Sequence, residues 1–256
     1  MISHWTQHPL TQNRPLPARV SFISDLHLFS SRCVADQHAH AIRQAVRWSQ
    51  VCVWGGDLFD FRWSRVGSTH QTIDAAIEWL DQWCVEFPDH MFVYLRGNHD
   101  AHQPFEDRIA TWSDSRSNLA NGLDAMRIAD TLFVHGDVIE KQGTQESFEK
   151  YRHKWSRKRP AGNLHNRAYD AAIAFRLHWA TAKMVHPIDR TCRRLLHWMR
   201  HQHPTDGRGV DRIVFGHTHQ RIDGREVGGV RFYNGGAAIR HVGFLPVRIV
   251  MDPQPK

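Results

Sequence analysis

The stretch RVSFISDLH, residues 19–27, decides how the chain is read. Arg19 to Ile23 is a short β-prone run, apolar enough to be buried, and Ser24-Asp25-Leu26-His27 follows it immediately. The same design recurs in VCVWGGDLFD (51–60), MFVYLRGNHD (91–100), TLFVHGD (131–137) and RIVFGHTH (212–219). Each time a strand-like run ends in Asp, His, Asn or Gly. Helical patterning from Ala35 to Trp48 and from Thr72 to Glu86 separates the early runs, so strand and helix alternate and the fold class is α/β. Further strands are expected at Val230 to Tyr233 and Val247 to Met251. In open α/β sheets ligands bind beyond the carboxyl ends of strands. Asp25, His27, Asp57, Asn98, His135, His217 and His219 are therefore expected to converge, although the chain holds them far apart.

That set is metal-ligand chemistry: two carboxylates, one amide oxygen and four imidazoles, without a thiolate. It is too large for one tetrahedral ion and suits two ions bridged by a carboxylate. Two ions about 3.5–4 Å apart can polarise a phosphoryl oxygen and lower the pKa of a water, which is phosphoester hydrolysis. A lone DLH or GDLFD is an ordinary strand-end turn. Five such clusters in order at five strand ends are not. Neither a GxSxG elbow nor a Walker A loop offers acyl-transfer or triphosphatase chemistry instead.

The ordered motifs DLH, GDLFD, GNHD, HGD and GHTH resemble those of the calcineurin-like metallophosphoesterases, over about residues 20–137 and 211–237. The resemblance implies a four-layer α/β/β/α sandwich. It also implies that Asp25, His27, Asp57 and His219 hold one ion and Asp57, Asn98, His135 and His217 the other, with Asp57 bridging. His99 would lie near the substrate phosphate and protonate the leaving oxygen or stabilise charge, with Asp100 orienting it. Asp60 and Asp137 read as turn or supporting residues. The short form His135-Gly136-Asp137 is similar to the UDP-2,3-diacylglucosamine diphosphatases of lipid A synthesis, which carry Arg where this chain has His99. Mn²⁺ is the ion the family suggests, while carboxylate and imidazole also accept Fe²⁺ and Zn²⁺.

Of the 256 residues 41% are hydrophobic, enough for one large domain or a domain carrying an insertion. Apolar runs are far shorter than the roughly 20 residues of a membrane-spanning helix. Residues 1–18 read as a leader without a secretory pattern, and a cytoplasmic location is expected. Four widely spaced cysteines, without a CxxC pair, are expected to be reduced and buried.

Charge is concentrated in residues 140–203, where 14 Lys and Arg against 5 Asp and Glu give +9, against +7 for the whole chain. This segment lacks β runs and reads as a basic helical cap inserted between core segments 19–139 and 204–256; two helices continuing the core layer would produce a similar pattern. After Pro187, Ile188, Cys192, Leu195 and Met199 fall on one helix face and Arg190, Arg193, His197 and Arg200 on the other. Arg190, Arg193 and Arg200 are candidate substrate-binding residues; a solvated face is the plainer reading. Phe175, Trp179 and Trp198 read as core. Asn234-Gly235-Gly236 suits the site rim and an ordinary turn equally.

The expected activity is hydrolysis of a phosphoester or pyrophosphate bond, with a nucleotide-sugar lipid as the specific substrate and peripheral contact with an anionic inner-membrane surface. A nuclease or nucleotide phosphodiesterase is the alternative, because a basic segment with Trp and Tyr could follow a nucleic-acid backbone. A metal-free binding scaffold of the same fold is the third reading, which the intact ligand set opposes.

Overall fold

The computed structural model describes residues 2–141, 143–158, 161–162 and 184–251. The five motif runs are strands with the expected bounds: β2 (Arg19–Ile23), β3 (Val51–Trp54), β4 (Met91–Leu95), β7 (Thr131–Val134) and β8 (Arg212–Phe215). The others are β1 (Ile2–His4), β5 (Leu119–Leu123), β6 (Ala125–Ile128), β9 (Arg221–Val227), β10 (Val230–Gly235) and β11 (Val247–Val250). Among the described residues the α-helices are α1 (Ala39–Trp48), α2 (Thr69–Glu86), α3 (Gln103–Ser113), α4 (Gln145–Ser156) and α5 (Ile188–Gln202). α2 starts earlier than its apolar periodicity suggests because Ser68 and Gln71 form a capping box, each side chain accepting from the other's backbone N–H.

The strands form two sheets, ordered β11-β2-β3-β4-β5 and β1-β6-β7-β8-β10-β9. β2, β3 and β4 are parallel in the first, and β7 and β8 are parallel in the second. Alternating side chains divide the interior into three parts. Val20, Phe22, Val53 and Val93 of the smaller sheet meet Met126, Phe133 and Val214 of the larger between the sheets. Trp54, Phe92 and Tyr94 face outward under the helical layer that includes Ile42, Ala76, Leu80 and Phe105. Leu132, Val134, Ile213 and Phe215 face the opposite way, under Phe148 of α4 and Cys192, Leu195, Trp198 and Met199 of α5. This is the α/β/β/α sandwich, and it brings the carboxyl ends of five motif strands to one rim.

Two features add to the sequence reading. Within residues 2–18, read as a leader, β1 pairs in parallel with β6, and Trp5 is 2% exposed. In the segment read as a cap, α5 lies on the larger sheet as part of its covering layer, the second arrangement the periodicity allowed, and Trp198 is core as expected. Phe175 and Trp179 lie outside the described residues. All four cysteines are free; Cys52, Cys84 and Cys192 are buried and Cys33 is partly exposed. Among the described residues no helix is long and apolar enough to cross a membrane.

Candidate metal centre

At the ends of β2 and β3 the two loops run side by side: Asp25 N–H donates to Gly56 O at 3.0 Å, and His27 N–H to Asp57 O at 3.0 Å. Asp25, His27, Asp57, His217 and His219 all have left-handed backbones, with φ of 55°, 49°, 51°, 65° and 55°. Such conformations cost about 1 kcal/mol or more each and gather where side-chain placement matters. Two glycines are required by close approach rather than by φ. A Cβ on Gly97 would strike the backbone N and Oδ1 of Asp57, and one on Gly216 would strike Asp25 Oδ2 and Ser24 Oγ.

The side chains gather in two adjoining groups. Donor atoms of Asp25, His27 and His219 lie within 4.8 Å of one another, and so do those of Asp57, His135 and His217. Each group draws on both sheets. His27 Nε2 and His219 Nε2 face each other at 3.1 Å, and His219 Nε2 is 3.4 Å from Asp25 Oδ1. His135 Nδ1 donates to the Gly55 carbonyl at 2.9 Å, which leaves Nε2 facing Asp57 Oδ1 and Asn98 Oδ1, each at 3.4 Å. Asn98 is buried beside them.

Burial would raise the Asp57 carboxyl, yet His135 and His99 beside it hold it well below the usual range. Burial would lower His135, but Asp57 against it pushes the ring upward. His27 is pushed down to about 3 by burial and the neighbouring Arg32. Buried carboxylates and imidazoles converging without thiolate make a donor set that fits divalent first-row cations. One such ion could be held by Asp25, His27, Asp57 and His219, and a second by Asp57, Asn98, His135 and His217.

His99 lies at the edge of this cluster, its side chain 12% exposed, with Nδ1 3.2 Å from Asp60 Oδ1. Asp60, not Asp100, is therefore the carboxylate placed to orient His99. Asp60 also accepts from Arg32 Nη2 at 2.7 Å, and Arg32 Nη2 lies 2.8 Å from His27 Nδ1. Asp100 instead accepts from the backbone of Phe59 at 2.9 Å and of Leu58 at 3.3 Å, bracing the GDLFD loop. Burial and the Asp57 charge push its carboxyl up to about 7.

The sequence reading missed Glu140 and His186. Glu140 Oε1 is 2.9 Å from His217 Nε2 and 3.5 Å from His186 Nε2. Glu140 closes the turn opened by His135-Gly136-Asp137, a sequence proximity that could have flagged it; His186 carried no spacing signal. Also missed was Arg152 of α4, which donates to Asp137 Oδ2 at 2.6 Å and Oδ1 at 2.9 Å and so fastens α4 to the motif loop. Asn234 serves the loop rather than the rim, donating to the Gly216 carbonyl at 2.8 Å. Arg190, Arg193 and Arg200 are exposed on α5. The first two line a cavity of about 250 Å³ with Gly143, Arg194 and His197, and Arg200 donates to the Gly228 carbonyl at 2.9 Å. None of the three belongs to the two ligand groups.

No curated protein matches the chain. A crystal structure of a dimetal phosphatase from Danio rerio is similar at 16% identity with a TM-score of 0.46, over 92% of this chain and 93% of the other. Residues 18–221 match the calcineurin-like phosphoesterase family.

Proposed function

We propose a specific activity for a chain that belongs to the calcineurin-like phosphoesterase family, and is thus a metal-dependent phosphoester hydrolase: cleavage of the diphosphate of a UDP-2,3-diacylglucosamine-type nucleotide-sugar lipid. The observation that carries the hydrolytic reading is the pair of adjoining buried donor groups, each with a carboxylate and two imidazoles, at one rim of the sandwich. Asp25, His27, Asp57 and His219 would hold one ion, and Asp57, Asn98, His135 and His217 the other, with Mn²⁺ preferred. When bound, two such ions supply charge stabilisation to phosphoryl oxygens and lower the pKa of water. The chain's own residues do the rest. The Asp60 carboxylate, 3.2 Å from Nδ1, is the acid placed to orient the His99 ring, so that Nε2 can give its proton to the departing oxygen. Trp155, with its ring centroid 4.5 Å from that of His99, packs against the ring.

Support for a lipid-bearing substrate comes from Met184 and Val185, which are 80% and 59% exposed. They immediately precede His186, whose ring centroid is 5.7 Å from that of His217. Apolar side chains next to a polar site suit acyl chains better than a nucleic-acid backbone. A cytoplasmic enzyme working at the anionic face of the inner membrane fits this reading. The test is a Mn²⁺-supplemented panel of a chromogenic diester, a monoester, single-stranded DNA and the lipid-linked nucleotide sugar in detergent micelles. The lipid is expected to be the best substrate, and Asp57→Ala to remove both bound ions and turnover. Faster hydrolysis of single-stranded DNA would replace the lipid with a nuclease assignment; full activity in the Asp57→Ala variant would end the metal reading.

A further inference from the structure

Beyond His99 stands a group of cations that the metal centre does not use. Trp155 of α4 touches both: its ring centroid is 4.5 Å from that of His99, and the Lys158 ammonium sits 2.9 Å from the Trp155 ring centroid. Arg62, on the loop after GDLFD, reaches the same place from the other sheet's side. Its carbonyl accepts from Ala161 N–H at 2.7 Å, which ties that loop to the chain just after Lys158. The Arg62 guanidinium carbon lies 5.1 Å from the Trp63 ring centroid, and its Nε is buried with no hydrogen-bond partner.

Neither Arg62 nor Lys158 forms an ion pair with an acid among the described residues. They stand close enough that, after burial, Arg62 helps push the Lys158 ammonium down to about 8. Two cations on segments joined through the Arg62 carbonyl and the Ala161 N–H, with Asp60 as a neighbouring acid that is already paired with Arg32, are an unfavourable arrangement that an anion would relieve. The geometry points to a second anion subsite: Arg62 and Lys158 hold a phosphoryl group of the leaving portion of the substrate, on the His99 side of the metal centre. This rests on the hydrolytic reading above and narrows it to substrates whose leaving group is itself a phosphate. Water oxygen bonds to the attacked phosphorus and releases a proton to solvent, and the bridging P–O bond breaks. Its electron pair stays on the departing phosphate, which takes the His99 proton while Arg62 and Lys158 balance its remaining charge. Guanidinium and ammonium suit this task, since charge-assisted hydrogen bonds to phosphate are stronger than neutral ones.

The test compares the Mn²⁺-loaded protein with its Arg62→Met/Lys158→Met variant in two ways. Calorimetry measures binding of methylenediphosphonate against methylphosphonate, and kinetics compares a nucleoside diphosphate sugar with bis(p-nitrophenyl) phosphate, whose leaving group carries no phosphate. The double variant is expected to lose at least tenfold of the preference for the diphosphonate, and at least tenfold of the kcat/KM ratio favouring the nucleotide sugar. Unchanged preferences in both measurements would overturn the subsite. Absence of Mn²⁺-dependent turnover of either kinetic probe would instead remove the hydrolase reading, and calorimetry alone would then decide whether Arg62 and Lys158 bind the second phosphoryl group.

Discussion

At the scale of single residues, the site separates three tasks that one short motif, Gly97-Asn98-His99-Asp100, places side by side. Asn98 faces the ligand cluster, His99 faces its open edge, and Asp100 turns back to hold the Leu58 and Phe59 backbone. His99→Asn is expected to lower kcat by about 10²-fold or more, as for loss of a general acid, with both ions retained by metal analysis. The loss should be smaller for a p-nitrophenolate leaving group, which needs no proton; equal losses for all leaving groups would refute the acid role. Asp100→Asn should lower thermal stability more than it lowers kcat. The ligand set was legible in the sequence because Asp, His and Asn follow apolar runs at five strand ends. The partner of His99 was not. Asp60 and Asp100 are both acids in GD and GN motif loops, and only the turn after β3 decides which of them reaches the imidazole.

At the scale of elements, α4 is held by an ion pair between buried groups. Arg152 reaches Asp137 with its side chain 11% exposed and that of Asp137 fully covered. Burial would raise the Asp137 carboxyl, but the guanidinium outweighs it and draws the pKa below the ordinary 3.8. A carboxyl depressed in the folded state adds stability that is present above its unfolded pKa and is withdrawn as pH falls through the folded one. Arg152→Met should therefore cost about 3 kcal/mol at neutral pH, since it leaves a buried charge unpaired. The difference from wild type should shrink below pH 4, and Arg152→Met/Asp137→Asn should recover much of the loss. Thermal unfolding followed by circular dichroism across pH 3–7 measures all three, and a penalty independent of pH would refute the account. The amphipathic face of α5 was readable from its periodicity, but periodicity gives only which face is covered. Whether it covers the main sheet or a separate cap depends on long-range packing, here against Ile213, Phe215 and Phe232.

At the scale of the whole molecule, the less visible strands are those whose partners do the stabilising. β1 has three residues, β5 includes Asn121-Gly122, which reads as a turn, and β9 is mostly charged; each is fixed by pairing in a sheet rather than by its own propensity. Trp5 follows β1 into the core between the sheets, beside Ile128 and Met251. Trp5→Ala should cost about 3 kcal/mol in denaturant unfolding, the usual penalty for emptying a large buried site; a change within 0.5 kcal/mol would mean that this end of the chain is dispensable. The convergence of motifs was foreseeable from topology. The grouping of Arg62 with Lys158 was not, because its members come from segments with no shared pattern.

Each of the two ligand groups takes residues from both sheets: Asp25 and His27 with His219, and Asp57 with His135 and His217. Cations seated there would act as rivets through the seam of the sandwich. Chelation would then do more than silence turnover: it would unpin the two halves at their working end, lower the melting temperature and quicken amide exchange along that edge first.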